Sequence, residues 1–238
     1  RNTRSRTYRL KAINMEKKLQ KAAIALCFAA LLSGCEQEPE TKTGADSSIA
    51  ADYTSRAESY VKQGQYKVAI IELKNAVKAD PSYIESHLLF AQILHEQGNH
   101  KASIAALEKI EATDPRIPLL LAKNNIQLGK AKSTLDIIAE ARKSGLLDGS
   151  AEASILVAKA YIVLNNTKSA KKEIDAALNA TNDKKLLAQA ETVRAILYRQ
   201  LNDMEKQEIA LQKATKLDPK NIEAMVVYAG LKHKQEKY

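Results

Sequence analysis

The sequence contains no tryptophan, and it is poor in glycine (8), proline (5) and cysteine (2) over its 238 residues. Two cysteines cannot build a disulfide scaffold or a zinc site with four cysteine ligands. The scarcity of glycine and proline, beside abundant alanine, leucine, lysine and glutamate, favours helices over strands. Because 45% of the residues are hydrophobic, the chain can fill a sizeable core, and we do not expect disorder throughout.

The net charge of +9 is unevenly distributed along the chain. Residues 1–34 contain eight lysines and arginines and one glutamate, so they carry +7 of it, and the remaining residues carry +2. A nucleic-acid-binding protein typically combines a basic surface with aromatic side chains that stack on bases. With 5% aromatic residues and a nearly neutral remainder, we expect no nucleic-acid partner.

The N-terminal segment has the pattern of an export leader. Residues 1–14 are basic and patternless and precede Met15, so we interpret them as upstream sequence translated from a wrong start. Three lysines then lead into the apolar run Ala22 to Leu32. Its eleven residues fit the core of a signal peptide and are too few to span a bilayer. We therefore predict a signal peptide over residues 15–34; the alternative is an ordinary buried helix.

The leader ends in Leu32-Ser33-Gly34-Cys35, which resembles a bacterial lipobox. That resemblance implies cleavage before Cys35, a diacylglyceryl thioether on its sulfur, and an acyl chain such as palmitate on the new terminus. Two or three acyl chains anchor a protein stably to a membrane, whereas one is marginal. The alternative is a chance cysteine after an ordinary signal peptide.

The polar residues that follow the lipobox are typical of a tether. We predict that residues 35–49 are the lipidated cysteine and a flexible, disordered linker. In Gram-negative lipoproteins an aspartate after the cysteine retains the protein in the inner membrane, but Glu36 stands there in this chain. The resemblance therefore implies a cell-envelope location, at the periplasmic face of the outer membrane rather than at the inner membrane.

A regular sequence repeat fills the rest of the chain. The dipeptide Asp-Pro occurs at 80–81, at 114–115 and at 218–219, so the first interval is one period and the second is close to three. A fixed period of roughly 34 residues indicates a solenoid. The predicted repeats lie near 50–83, 84–114, 115–150, 151–187 and 188–221, with a partial repeat at 222–238.

The residue pattern of these repeats resembles that of tetratricopeptide repeats (TPRs), in which small residues let two antiparallel helices approach closely. In the first repeat these are Ala57, Gly64 at the turn, Ala69 and Ala76. The resemblance implies an all-α TPR superhelix of about five and a half helix-turn-helix repeats over residues 50–238. Asn165 and Asn202 replace the usual turn glycine, and asparagine tolerates the left-handed conformation. A non-repeat helical bundle is the alternative.

Two stretches carry a closer resemblance. They are Ala69-Ile70-Ile71-Glu72-Leu73-Lys74-Asn75-Ala76 before Asp80-Pro81, and Leu119-Leu120-Leu121-Ala122 with Gln127-Leu128-Gly129-Lys130. They look like the long TPR lipoproteins found beside exosortase (PEP-CTERM) and exopolysaccharide loci, called PrsT. That resemblance implies a scaffold in protein sorting or polysaccharide export and an N-terminal fragment of a longer array. The alternative for residues 222–238 is a capping helix that ends the array. The alternative function is that of a pilotin or an outer-membrane assembly lipoprotein. An enzyme or a metal protein is a remote third function.

No motif for catalysis or cofactor binding occurs. The sequence contains no phosphate-binding glycine loop, no nucleophile elbow and no paired-histidine zinc motif. His87 and His95 lie eight residues apart, whereas ligands on one helix usually lie three or four apart. We therefore predict no catalytic residue, no metal site, no cofactor and no small-molecule substrate.

The TPR resemblance implies a partner-binding groove lined by the first helix of each repeat. An extended peptide or a partner helix suits its mixed character, with plain solvent exposure as the alternative for any one position. A carboxylate clamp is not expected, because Thr54 occupies one of its positions. The predicted groove residues are Glu58, Lys62, Gln92, His95, Lys159 and Arg199.

Overall fold

The structure, a computed structural model, describes residues 43–235. This part of the chain contains eleven α-helices. That part contains no β-strand. The signal peptide, the lipobox and residues 35–42 of the predicted tether lie outside it. The helices are α1 (Thr43–Lys62), α2 (Tyr66–Ala79), α3 (Ile84–Glu96), α4 (His100–Leu107), α5 (Arg116–Gln127), α6 (Ala131–Lys143), α7 (Ala151–Val163), α8 (Thr167–Asn179), α9 (Lys184–Gln200), α10 (Met204–Leu217) and α11 (Ile222–Gln235).

The helices pack as successive hairpins that stack into a solenoid. Odd-numbered helices pair with the even-numbered helix that follows, from α1 with α2 to α9 with α10. Each odd-numbered helix also contacts the next odd-numbered one, so these first helices form one continuous layer. This is the predicted all-α TPR superhelix. Helices α3, α7 and α11 begin at the predicted residues 84, 151 and 222, whereas α9 begins at Lys184 and not at the predicted 188.

The first helix begins earlier than the sequence predicted. The flexible tether predicted for residues 35–49 is wrong over residues 43–49, which belong to α1. The Ser47 hydroxyl donates a hydrogen bond to the carboxylate of Asp80, just beyond the end of α2. Asp46 lies in the first turn of α1, where a carboxylate complements the positive end of the helix dipole. Despite its polar composition, this segment is therefore helical, and the long-range hydrogen bond between Ser47 and Asp80 holds it in place.

The turns inside the hairpins depend on residues with positive φ. Gly64 and Gly98 have φ of 73° and 75°, and Asn165 and Asn202 take the equivalent places with φ of 56° and 58°. A left-handed backbone brings Cβ close to the following carbonyl in most residues, but asparagine adopts it comparatively easily. The prediction that asparagine replaces the turn glycine is confirmed.

The core alternates small and large side chains. Ala57, Ala69 and Ala76 are fully buried within the first hairpin, where helix axes must approach closely. Leu73 and Ile93 are also fully buried and join this hairpin to the next in one hydrophobic cluster. The same arrangement recurs along the chain and holds the first helices in a fixed register, which positions the groove.

Candidate functional site

Two neighbouring cavities, of about 510 and 460 Å³, open on the layer of first helices. Both are lined by His95, Lys123 and Glu152, so they form one continuous groove. The first cavity is lined by Glu58, Glu85, Leu88, Leu89, Gln92, His95, Glu96, Arg116, Leu119, Leu120, Lys123 and Glu152. The second is lined by His95, Lys123, Ile126, Gln127, Glu152, Ile155, Leu156, Lys159, Gln189, Asp218, Lys220, Asn221, Ile222 and Glu223.

The groove crosses the helices obliquely. It contacts α1 near its C-terminal end at Glu58 and runs along most of α3 and α5. On α9 and α11 it reaches only residues near the N-terminal ends, Gln189 and Glu223. The solenoid twist therefore shifts the exposed inner surface towards the start of each successive first helix.

The structure places four of the six predicted groove residues in the groove: Glu58, Gln92, His95 and Lys159. Lys62 lies one turn beyond Glu58 and is exposed outside both cavities. Arg199 lies in the last turn of α9 and lines a separate cavity of about 170 Å³ between α9, α10 and α11. The prediction assigned equivalent positions in every repeat, whereas the twist moves these two off the groove. Partner binding by any of the six stays a prediction.

Three ion pairs follow the groove and connect different repeats. Glu85 contacts Arg116 at 3.3 Å and Glu152 contacts Lys123 at 2.6 Å. Glu223 contacts Lys159 at 2.7 Å. Each glutamate is the second residue of its helix, in α3, α7 and α11. The sequence prediction missed Glu152 and Glu223, although the recurrence of glutamate at one register was a visible signal.

The end of the groove beside α1 is acidic. Within residues 43–235, Glu58 has no cationic side chain within ion-pair distance, and Glu96 accepts a hydrogen bond only from Gln92, at 3.0 Å. Burial raises the pKa of the Tyr83 phenol, and the negative charges of Glu85 and Glu58 raise it further. This end therefore presents negative charge to a ligand.

Arg116 is held at the rim of the groove by the loop before its own helix. Its guanidinium donates hydrogen bonds to both carboxylate oxygens of Asp114, and its backbone N–H donates to one of them. These bonds hold the pKa of the Asp114 carboxyl below its usual value. The arginine is thereby positioned to contact Glu85 across the repeat boundary.

A buried polar cluster lies in the wall of the groove. Asn124 of α5 is fully buried, and its side-chain oxygen accepts hydrogen bonds from Nδ1 of His95 at 2.9 Å and Nδ1 of His100 at 3.1 Å. Its amide nitrogen donates to the Ser103 hydroxyl and the Leu120 carbonyl. The sequence prediction considered only His87 and His95 on one helix. It did not connect His100 with Asn124, because the two belong to different repeats and are far apart along the chain.

In the described residues no group of three or more histidine, cysteine, aspartate and glutamate side chains is placed so that it could hold a metal ion. None of the helices in that part of the chain is long and apolar enough to cross a membrane. The groove combines apolar, amide and paired charged groups, a mixture that suits the binding of another chain.

Two family models match parts of the sequence. The model of anaphase-promoting complex, cyclosome, subunit 3 matches residues 16–110, and a tetratricopeptide-repeat model matches residues 192–221. No curated protein matches the sequence.

Solved structures of TPR proteins are similar to this fold at low sequence identity. The thermophilic TPR protein TTC0263 of Thermus thermophilus is 15% identical, with a TM-score of 0.64 over 76% of this chain and 98% of that one. YrrB, described as a TPR protein with an unusual peptide-binding site, is 16% identical, with a TM-score of 0.52 over 80% and 98%.

The Cut9-Hcn1 hetero-tetramer of the anaphase-promoting complex is similar as well. It is 15% identical, with a TM-score of 0.61 over 80% of this chain and 40% of that one. Identities this low establish the fold, and the family models and the hairpin turns add sequence evidence. Together they show that the fold is a tetratricopeptide-repeat solenoid.

Proposed function

We propose that the chain is a lipid-anchored scaffold of the bacterial cell envelope, whose groove binds a partner protein. The observation that supports binding is the continuity of the groove, which receives side chains from six successive first helices, α1 to α11. A surface assembled from so many repeats suits a long ligand rather than a small molecule.

The lining favours an extended peptide or one face of a partner helix. Leu89, Leu120 and Ile126, which are partly exposed, provide apolar contacts, while Gln92 and Gln127 provide amides that can donate to and accept from a peptide backbone. The solved structure of YrrB, similar in fold, is described as having an unusual peptide-binding site, which supports a peptide ligand by analogy.

Site-specific crosslinking tests this proposal. A photo-crosslinking residue placed at Gln92, which is exposed in the groove, is expected to capture a partner from intact envelopes. The same residue at Gln212, exposed on α10 and outside the groove, is the matched control. Equal capture at both positions, or capture only at Gln212, would contradict a groove-bound partner.

Charge reversal provides a second test of the same surface. Glu58→Lys changes the acidic end of the groove, and Glu205→Lys makes the same change on the exposed surface of α10. We expect the first to reduce partner capture and the second to leave it unchanged. Melting curves of both variants should match that of the unmodified protein, because neither side chain is buried.

Membrane attachment is proposed to depend on Cys35 of the lipobox Leu32-Ser33-Gly34-Cys35. Cys35→Ser should abolish acyl labelling and release the protein from membranes. Cys27→Ser is the matched control, because that thiol lies in the segment removed on cleavage. Unchanged membrane retention of the Cys35→Ser protein would exclude the lipid anchor.

The proposed place of action is the periplasmic face of the outer membrane, in PEP-CTERM protein sorting or exopolysaccharide export. Glu36 after the proposed lipidated cysteine supports the outer membrane, and the resemblance of the first repeats to PrsT supports the pathway. Glu36→Asp should move the protein to inner-membrane fractions. Deletion of this protein should impair the anchoring of sorted proteins at the cell surface or the secretion of polysaccharide. A defect confined to pilus assembly would instead support the pilotin alternative.

A further inference from the structure

Three polar side chains converge at the boundary between the second and third repeats. His95 is in the last turn of α3, His100 begins α4, and Asn124 lies in α5. Both imidazole Nδ1 atoms lie within 3.1 Å of the Asn124 side-chain oxygen, and the ring centroids are 5.2 Å apart. Two ring nitrogens and an amide oxygen thus face one small volume.

The orientation of Asn124 is fixed by its surroundings. Its amide nitrogen lies 2.8 Å from the Leu120 carbonyl oxygen, which can only accept. The same nitrogen donates to the hydroxyl of Ser103, which itself donates to the Ala91 carbonyl at 2.7 Å. The amide oxygen must therefore point at the two imidazoles. Since Asn124 is fully buried, this orientation is held by packing as well.

We propose that His95, His100 and Asn124 bind a divalent transition-metal ion. Imidazole nitrogen is a preferred ligand of Ni²⁺, Cu²⁺ and Zn²⁺, whereas Mg²⁺ and Ca²⁺ favour sites made of oxygen ligands. Without the ion each ring donates the proton on Nδ1 to the Asn124 side-chain oxygen, which can only accept. When the ion binds, Nε2 of each ring takes up the proton that leaves Nδ1, and both Nδ1 lone pairs coordinate.

The surroundings provide support for the ligands and access for the ion. The hydrogen bonds of Ser103 and Leu120 to Asn124 act as an outer shell, which orients a ligand before the metal arrives. His95 lines both cavities of the groove, so open coordination positions face solvent or a bound partner. Lys123, which lines the same cavities, is paired with Glu152 at 2.6 Å, and its charge is thereby compensated.

This site does not match the metal-binding motifs whose ligands lie within a single helix. The two histidines are five residues apart and belong to two helices separated by a tight turn at Gly98, whose φ is 75°. The third ligand comes from the next repeat. A bound ion would therefore tie α3, α4 and α5 together, independently of any peptide in the groove.

Calorimetric titration with Ni²⁺ alone tests the site. The protein is the full chain with Cys27 and Cys35 replaced by serine, so that thiolates do not contribute. We expect one ion per chain, with at least about tenfold weaker binding in His95→Ala and in His100→Ala. The matched control is His87→Ala, on α3 but bonded to the Pro81 carbonyl, and it should bind as tightly as the parent.

A second variant keeps all three proposed ligands and tests how Asn124 is oriented, with the folding of every variant checked by circular dichroism. Ser103→Ala leaves both histidines in place and removes one bond that orients Asn124, so binding should weaken by about tenfold. Absence of saturable binding would overturn the proposal. So would undiminished affinity in the His95→Ala, His100→Ala double variant, or an equal loss in His87→Ala. No partner is present, so failure here leaves the proposed peptide-binding function untouched.

Discussion

Lys159 of α7 and Glu223 of α11 form an ion pair with a nitrogen-oxygen distance of 2.7 Å, although 64 residues separate them. In a solenoid each repeat contacts mainly its immediate neighbours. This pair joins the fourth repeat to the sixth and passes over α9. In this part of the groove, a charge interaction between repeats therefore adds to the hydrophobic contacts of the stacked helices.

A double-mutant cycle on Lys159→Ala and Glu223→Ala should reveal a small coupling energy. Because both side chains are partly exposed, we expect about 0.2–1 kcal/mol at low salt, and less in 1 M salt, where screening is strong. Urea unfolding of the four proteins gives this energy. Zero coupling at low salt would mean that this ion pair does not stabilise the fold.

Asn202 should behave as a substitute for glycine. Its φ of 58° places a side chain in the left-handed region, so Asn202→Ala is expected to lower the free energy of unfolding by about 1 kcal/mol. Asn202→Gly should remain near the parent. Asn179→Ala, at the helical end of α8, is the control and should cost little, since alanine favours helix. Equal losses in all three would contradict a backbone origin.

The repeat architecture was predictable because it is written in local patterns. The Asp-Pro pairs and the alanine stripes locate the hairpins, so α3, α7 and α11 start where expected. The start of α1 was not predictable, because residues 43–49 look like a linker and are held by the Ser47 bond to Asp80. Arg199 was misplaced because twist accumulates over several repeats, which no single repeat reveals.

Ser103 should contribute to stability through the buried cluster rather than through its own helix. It is fully buried, accepts from Asn124 and donates to the Ala91 carbonyl of the preceding helix. Ser103→Ala leaves these groups with fewer partners, and we expect a loss of about 1–3 kcal/mol. Ser86→Ala is the control: it is equally buried, but its hydroxyl bonds only to the nearby Tyr83 carbonyl. A loss in Ser86→Ala as large as that in Ser103→Ala would point to packing instead.

Asp114 should make the chain less stable in acid. Hydrogen bonds from Arg116 lower the pKa of its carboxyl in the folded state below the ordinary value of 3.8. The unfolded state therefore takes up the proton first as the pH falls, so the stabilisation is present above the unfolded value and is lost as the pH falls through the folded one. Because Arg116 is half exposed, the contribution at pH 7 is expected to be about 0.2–1 kcal/mol.

Asp114→Asn isolates this contribution, since asparagine keeps an oxygen for the Arg116 backbone N–H but loses the charge. The difference in unfolding free energy between the two proteins should be largest near neutral pH and shrink towards zero below about pH 3, as measured by urea unfolding at several pH values. Asp136→Asn, on the exposed face of α6, provides the comparison for a carboxylate without an ion pair in residues 43–235. A gap between parent and Asp114→Asn that persisted unchanged in acid would show that the asparagine acts through geometry and that the charge on Asp114 is not what stabilises the loop.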